Sequence, residues 1–94
     1  MKTGIEIIAD ERKRQVESEG WTSEHDDIHI YEELSMAAVC YAMPFSVREL
    51  RYALPVFWPF GFEYWKPSPL NRIKELAKAG ALIAAEIDRI NRIK

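Results

Sequence analysis

His25 and His29 stand four residues apart in the stretch GWTSEHDDIH, with Asp26 and Asp27 between them and Trp21 just before. Imidazole nitrogens and carboxylate oxygens are zinc donors, and the spacing, extended by Glu33, would align them on one side of a continuous helix. The same residues offer two other chemistries. Protonated imidazoles beside an indole face can clamp an anionic ligand that carries a ring, with a grip that weakens as pH rises through the ordinary histidine range near ~6.5. Alternatively, Asp or His side chains can simply cap the helix that follows. Gly20, Trp21 and the Thr22-Ser23 pair signal a loop or single turn rather than a continuous helix, which counts against the metal reading.

Carboxylates elsewhere raise the question of magnesium-dependent phosphate chemistry. Glu32-Glu33 begins a run similar to the EExxE helix of the MazG-type nucleoside triphosphate pyrophosphohydrolases, but Met36 stands where the third carboxylate belongs. Glu86 and Asp88 are one residue too close for the ExxD that follows in that family. On this alternative, Asp26, Asp27, Glu32 and Glu33 would hold the magnesium; otherwise no cofactor is expected. The chain has no Gly-rich phosphate loop, nucleophile elbow or cysteine-histidine pair in a motif.

A third chemistry lies in YALPVFWPFGFEYWKPSP, which places seven aromatic residues between positions 52 and 65. Trp58, Phe60, Tyr64 and Trp65 lie near Arg48, Arg51 and Lys66 in sequence, combining faces on which a base can stack with cations that meet phosphate. The bland reading is a small aromatic core.

The elements that must position these groups are helices. Thr3 and Glu6 have capping-box spacing, and Ile5, Ile8, Arg12 and Val16 recur at helical intervals, predicting a helix over about 4–19. Glu11, Lys13, Arg14, Glu17 and Glu19 read as its solvated side, with Arg12 and Gln15 free to point elsewhere. YEELSMAAVCYA predicts a second helix over about 31–42, with Leu34, Ala38 and Tyr41 on one face. Ser46 and Glu49 suggest a short helix over about 47–53. Pro55, Pro59, Gly61, Pro67 and Pro69 make an irregular lobe of residues 52–67. Ser68 and Pro69 supply start signals for a last helix over about 69–93. In it Ile73, Leu76, Gly80, Ile83, Ile87 and Ile90 alternate steps of three and four, the seam of a helix packed nearly parallel to partners. Ala77, Gly80, Ala81 and Ala84 permit close approach in mid-helix.

A chain of 94 residues with a formal net charge of -2 fits one all-α domain, a small bundle of three main helices with the aromatic lobe attached, completed by self-association. That charge argues against binding long nucleic acid. The lone Cys40 lies in an apolar run and reads as a buried thiol. Without a membrane-length apolar stretch or a leader pattern, the chain reads as soluble and cytoplasmic.

ERKRQVESEGWTSEHDD, ELSMAAVCYA, the WKP segment and LAKAGALIAAEIDRI together resemble a family of small phage and prophage proteins. That family carries ERxRQ…EGWTxEHDDxH near its start and KAGALIxAEIDR at its end. The matching polar or aromatic positions are Glu11, Arg12, Arg14, Gln15, Trp21, His25, Asp26, Asp27, His29, Trp65, Lys66, Lys78 and Glu86. The resemblance implies a phage setting, hence the host cytoplasm, and brings no settled activity. The expectation is a homo-oligomeric binding protein in which Arg12, Arg14, Trp21, His25, Asp26, Asp27, His29, Trp65 and Lys66 surround an anionic, nucleotide-like molecule, and which sequesters a host immune signal. The pyrophosphohydrolase is one alternative. The other is a protein-interaction module whose aromatic lobe covers a host enzyme.

Overall fold

The structure is a computed structural model that describes residues 1–49 and 57–93. Among the described residues, five α-helices run in the order α1 (Gly4–Ser18), α2 (Ser23–Asp27), α3 (Glu33–Ala42), α4 (Phe45–Glu49) and α5 (Arg72–Arg92), with a 3-10 turn at Phe62–Tyr64. The fold is all-α, as the periodicity predicts, with no strand among the described residues. No described helix is long and apolar enough to cross a membrane.

Local chemistry sets the helix starts. The Thr3 hydroxyl accepts from the Glu6 N–H at 3.2 Å while the Glu6 carboxylate accepts from the Thr3 N–H at 2.8 Å, closing the expected capping box on α1. Gly20, at φ 74°, adopts the left-handed conformation that glycine tolerates and turns the chain from α1 toward α2. Thr22 caps α2 by accepting from the His25 N–H at 3.4 Å.

Three predicted boundaries move. The second long helix, α3, begins at Glu33 rather than 31 because Glu32 sits at φ 60°, ψ 33°, and the helix carries no side-chain cap, so neither Asp26 nor a histidine caps it. The last helix begins at Arg72 rather than 69. Asn71 is its N-cap, accepting from the Lys74 N–H at 3.1 Å, whereas the Ser68 N–H donates to the Glu75 carboxylate. α4 starts at Phe45, so Ser46 lies inside the helix and is not its cap; residues 50–53 of the predicted short helix fall outside the described residues. So do residues 52–56 of the lobe, and Arg51.

α5 is the spine, with α3 and α1 packed along it and α2 touching its end. Leu34, Ala37, Ala38, Cys40 and Tyr41 of α3 meet Ala79, Leu82 and Ala85 of α5, and Trp58 closes the core with Trp21, Phe60 and Trp65 against it. Tyr41 stacks on Trp65 at 4.8 Å and meets the edge of Trp58 at 5.6 Å, which fastens the lobe to α3. The Cys40 thiol is fully buried, and burial pushes it up to about 11. Ellman's reagent should therefore titrate no thiol in the native protein and one in denaturant; rapid native reaction would contradict this burial.

The side of α1 expected to be solvated is partly the buried one. Glu11 and Gln15 are buried, whereas Ile5 is 82% exposed. Glu11 is satisfied there by a two-pronged bond from Arg14, at 2.8 and 2.9 Å, and by the Gln15 amide at 3.2 Å. A carboxylate paired and bonded in this way can be buried at a charge-rich helix face.

Gly80 is the close approach of α1 to α5. A Cβ built there would lie 2.5 Å from Ile8 Cδ1 and 2.7 Å from Ile8 Cγ1. Gly80→Leu should consequently destabilise by about 2–3 kcal/mol through overpacking, while Lys74→Leu at an exposed site should change stability by less than about 0.5 kcal/mol. Equal thermal melts for the two variants would remove the close-packing claim.

Candidate functional site

Where α1 turns into α2 and the aromatic lobe folds back, a cavity of about 370 Å³ opens, lined by Glu19, Trp21, His25, Ile28, His29, Leu34, Phe60 and Tyr64. A continuous series of rings surrounds it. Trp21 and His25 lie parallel with centroids 5.6 Å apart, His29 meets His25 edge-on at 4.9 Å, and Phe60 meets His29 edge-on at 5.0 Å. Although α2 is only one turn, Thr22 starts it so that His25 lands over Trp21.

Both imidazoles are held from behind. His25 Nδ1 lies 2.9 Å from Asp26 Oδ1, and Asp26 is fully buried. Arg12 donates to Asp26 Oδ2 at 3.3 Å and to the Trp21 carbonyl at 3.5 Å, tying α1 to α2. His29 Nδ1 lies 3.6 Å from the Glu33 carboxylate. Among the described residues neither histidine Nε2 has a hydrogen-bond partner.

A narrow polar chamber of about 20 Å³ adjoins the cavity and shares Glu19, Trp21 and Tyr64 with it. Glu11, Arg14, Gln15, Tyr41, Lys66 and Lys78 form its other walls. Burial works against the ionised Glu19, but bonds from Arg14 at 3.2 Å and Lys66 at 3.3 Å outweigh it and hold the carboxyl below its ordinary range. Desolvation, assisted by repulsion from Lys74, pulls the Lys78 ammonium down from its usual value. Lys78 also faces the Tyr41 ring at 5.3 Å, and burial pushes the Tyr41 hydroxyl up to about 12. Gln15 Oε1 is buried with no hydrogen-bond donor among the described residues, an acceptor that a ligand N–H or O–H could satisfy.

The residues singled out by sequence thus divide into groups. Trp21, His25 and His29 line the cavity, while Arg14 and Lys66 line the chamber beside it. Arg12 and Asp26 support His25 from below, with Arg12 also 3.9 Å from Asp88. Asp27 is drawn to α5, where Arg92 donates to it at 2.6 and 3.0 Å. Trp65 belongs to the core beneath Arg48, whose guanidinium carbon is 5.4 Å from its ring.

The carboxylates of the magnesium alternative are dispersed in the same way. Asp26 and Asp27 serve different arginines, Glu33 accepts from the Tyr31 N–H at 2.7 Å, and Glu32 lies 3.5 Å from the Ser35 hydroxyl. Among the described residues no three His, Cys, Asp or Glu side chains converge as a metal site. Phe60 and Tyr64 enter the cavity from the lobe, and Gln15 and Lys78 enter the chamber from α1 and α5. Phe60 and Tyr64 are neighbours in the aromatic segment, but no spacing in the sequence links them to Gln15 or Lys78, because the elements that carry them meet only in the fold.

In comparisons with known proteins, the chain matches no family model, no curated protein and no solved structure.

Proposed function

We propose that this chain is a binding protein for a nucleotide-like small molecule, a planar heteroaromatic ring carrying hydroxyl and anionic groups. The observation that carries this reading is the ring series Trp21, His25, His29 and Phe60 around a cavity of about 370 Å³, within the ~300–1,000 Å³ typical of small-molecule sites. A planar ring gains from stacking on such walls, by about 1–3 kcal/mol per base. The two open Nε2 atoms can donate to an anion when the imidazoles are protonated, and Lys66 at the edge adds a cation. Gln15 Oε1 suits a sugar hydroxyl or an exocyclic amine.

Sequestration is the biological role we attach to this site, resting on the resemblance to phage proteins and the host immune signals such proteins meet. The dispersal of Asp26, Asp27, Glu32 and Glu33 favours holding a nucleotide over hydrolysing it.

The test is calorimetric titration with nucleoside mono-, di- and triphosphates and with cyclic dinucleotides, combined with mass spectrometry of small molecules released on heating. At least one should bind at micromolar concentration and return intact. Trp21→Ala should weaken that binding at least tenfold while leaving the far-UV spectrum unchanged. Magnesium-dependent consumption of a triphosphate, abolished by EDTA, would replace this reading with the pyrophosphohydrolase. Absence of binding throughout would leave the exposed lobe, where Phe62 is 74% exposed, as a protein-contact surface.

A further inference from the structure

The face of α5 turned away from α3 carries Ile73, Leu76, Ile83, Ile87 and Ile90, exposed by 63, 46, 48, 55 and 38%. No charged side chain interrupts their row, and only Gly80 and its neighbour Ile8 complete it. The chain start and the first turn of α1 extend the patch, since Met1, Gly4 and Ile8 share a mainly apolar groove, with Lys2 at its wall, with Ile73 and Leu76. The exposed apolar area from α5 alone is on the order of 500 Å², at the upper end of the ~300–600 Å² typical of the largest patch on a monomer. A stable interface buries about 800 Å² on each partner, which this row and the groove together approach.

The order of the residues identifies the occupant. Positions 73, 76, 80, 83, 87 and 90 are separated by 3, 4, 3, 4 and 3, a sequence of steps that reads the same in both directions. A two-fold axis passing between positions 81 and 82 therefore sets Ile73 against Ile90, Leu76 against Ile87, and Ile83 against the Ile8 side chain that covers Gly80. Every knob meets an apolar counterpart, as an isologous interface requires. The antiparallel arrangement also opposes the dipoles of two 21-residue helices. We infer that the occupant of this face is a second copy of the same chain, docked antiparallel along α5 about that axis. This pairing is independent of the ligand site, whose cavity is lined by other elements and, on α5, by none of these isoleucines.

Cysteine cross-linking and light scattering test the pairing together. Wild type should scatter as a dimer or a higher even-numbered assembly at 10 µM, and Ile87→Lys should be monomeric with its helical spectrum retained. In case that variant fails to fold, cysteines at the row's ends give a separate reading. Residues 90 and 90 of two antiparallel copies lie about 25 Å apart along the axis at 1.5 Å per residue. Under mild oxidation Ile90→Cys alone should stay uncross-linked, while the double variant Ile73→Cys/Ile90→Cys should form a covalent dimer. Cross-linking of Ile90→Cys alone would overturn the antiparallel geometry. A wild-type monomer at 100 µM would overturn the dimer, and one that floats with lipid vesicles would assign the face to a lipid surface instead.

Discussion

Glu75→Ala should destabilise the protein by about 3–5 kcal/mol, a large part of what a domain of this size possesses. The carboxylate is fully buried and accepts from Arg48 through both oxygens at 2.9 Å, from Arg72 at 3.2 Å and from the Ser68 N–H at 2.9 Å. Those four bonds draw α4 and the end of the lobe onto the first turn of α5. Removing the carboxylate leaves the guanidinium of Arg48, itself only 5% exposed, without its carboxylate partner in a poorly solvated place. The comparison is the ion pair of Lys2 with Asp10, whose side chains are 62 and 56% exposed; Asp10→Ala should change stability by less than about 1 kcal/mol. Urea unfolding of both variants measures the difference. Similar midpoints would mean that Glu75 does not organise the lobe. Replacing both members of the buried pair, as Arg48→Met/Glu75→Leu, should recover part of the loss, because part of the cost is a buried guanidinium deprived of its carboxylate.

Glu75 also illustrates what a single sequence reveals and what it hides. The helices were legible because capping and periodicity are local: Thr3 with Glu6, and Leu34, Ala38 and Tyr41, sit as the spacing requires. The starts of α3 and α5 were not, since Glu32 in a left-handed conformation and Asn71 as the working cap depend on how the preceding segments are held. Leu82, which stands outside the three-and-four steps of Ile73 to Ile90, lies fully buried against α3. Glu11 looked solvated because a charged residue is usually outside; only the fold brings Arg14 and Gln15 around it in a buried place. The geometry of the candidate site was legible in the same measure. Trp21, His25 and His29 meet because they are near neighbours in sequence, whereas Phe60 joins His29 across 31 positions for which no local pattern speaks.

The two aspartates of the opening motif presented a difficulty for any anionic ligand, because carboxylates at the cavity wall would repel it. Their placement removes the conflict for these two, and Glu19, the carboxylate that does line the cavity, is paired with Arg14 and Lys66. Asp27 is held by Arg92, and Asp26 lies buried behind His25, its charge shared with Arg12. In the proposed binding mode Asp26 is a positioning residue: by accepting from His25 Nδ1–H it fixes the ring over Trp21 and leaves Nε2 open. Asp26→Asn keeps the shape and removes the charge. It should cost about 1–3 kcal/mol of stability through the weakened bond to Arg12. It should also weaken binding of the nucleotide that titrates with wild type by tenfold or more, the scale on which supporting partners of functional histidines act. Asp27→Asn, whose side chain is 44% exposed, should leave that affinity within twofold. Calorimetry on the three proteins separates the roles, with His25→Ala as the reference for losing the ring altogether. If Asp26→Asn loses stability yet binds as tightly as wild type, Asp26 is a strut between α1 and α2 and His25 needs no orientation from it. If Asp27→Asn weakens binding as much as Asp26→Asn does, the ligand reaches the outer edge of α2 and the cavity lined by Trp21 and Phe60 is not where it sits.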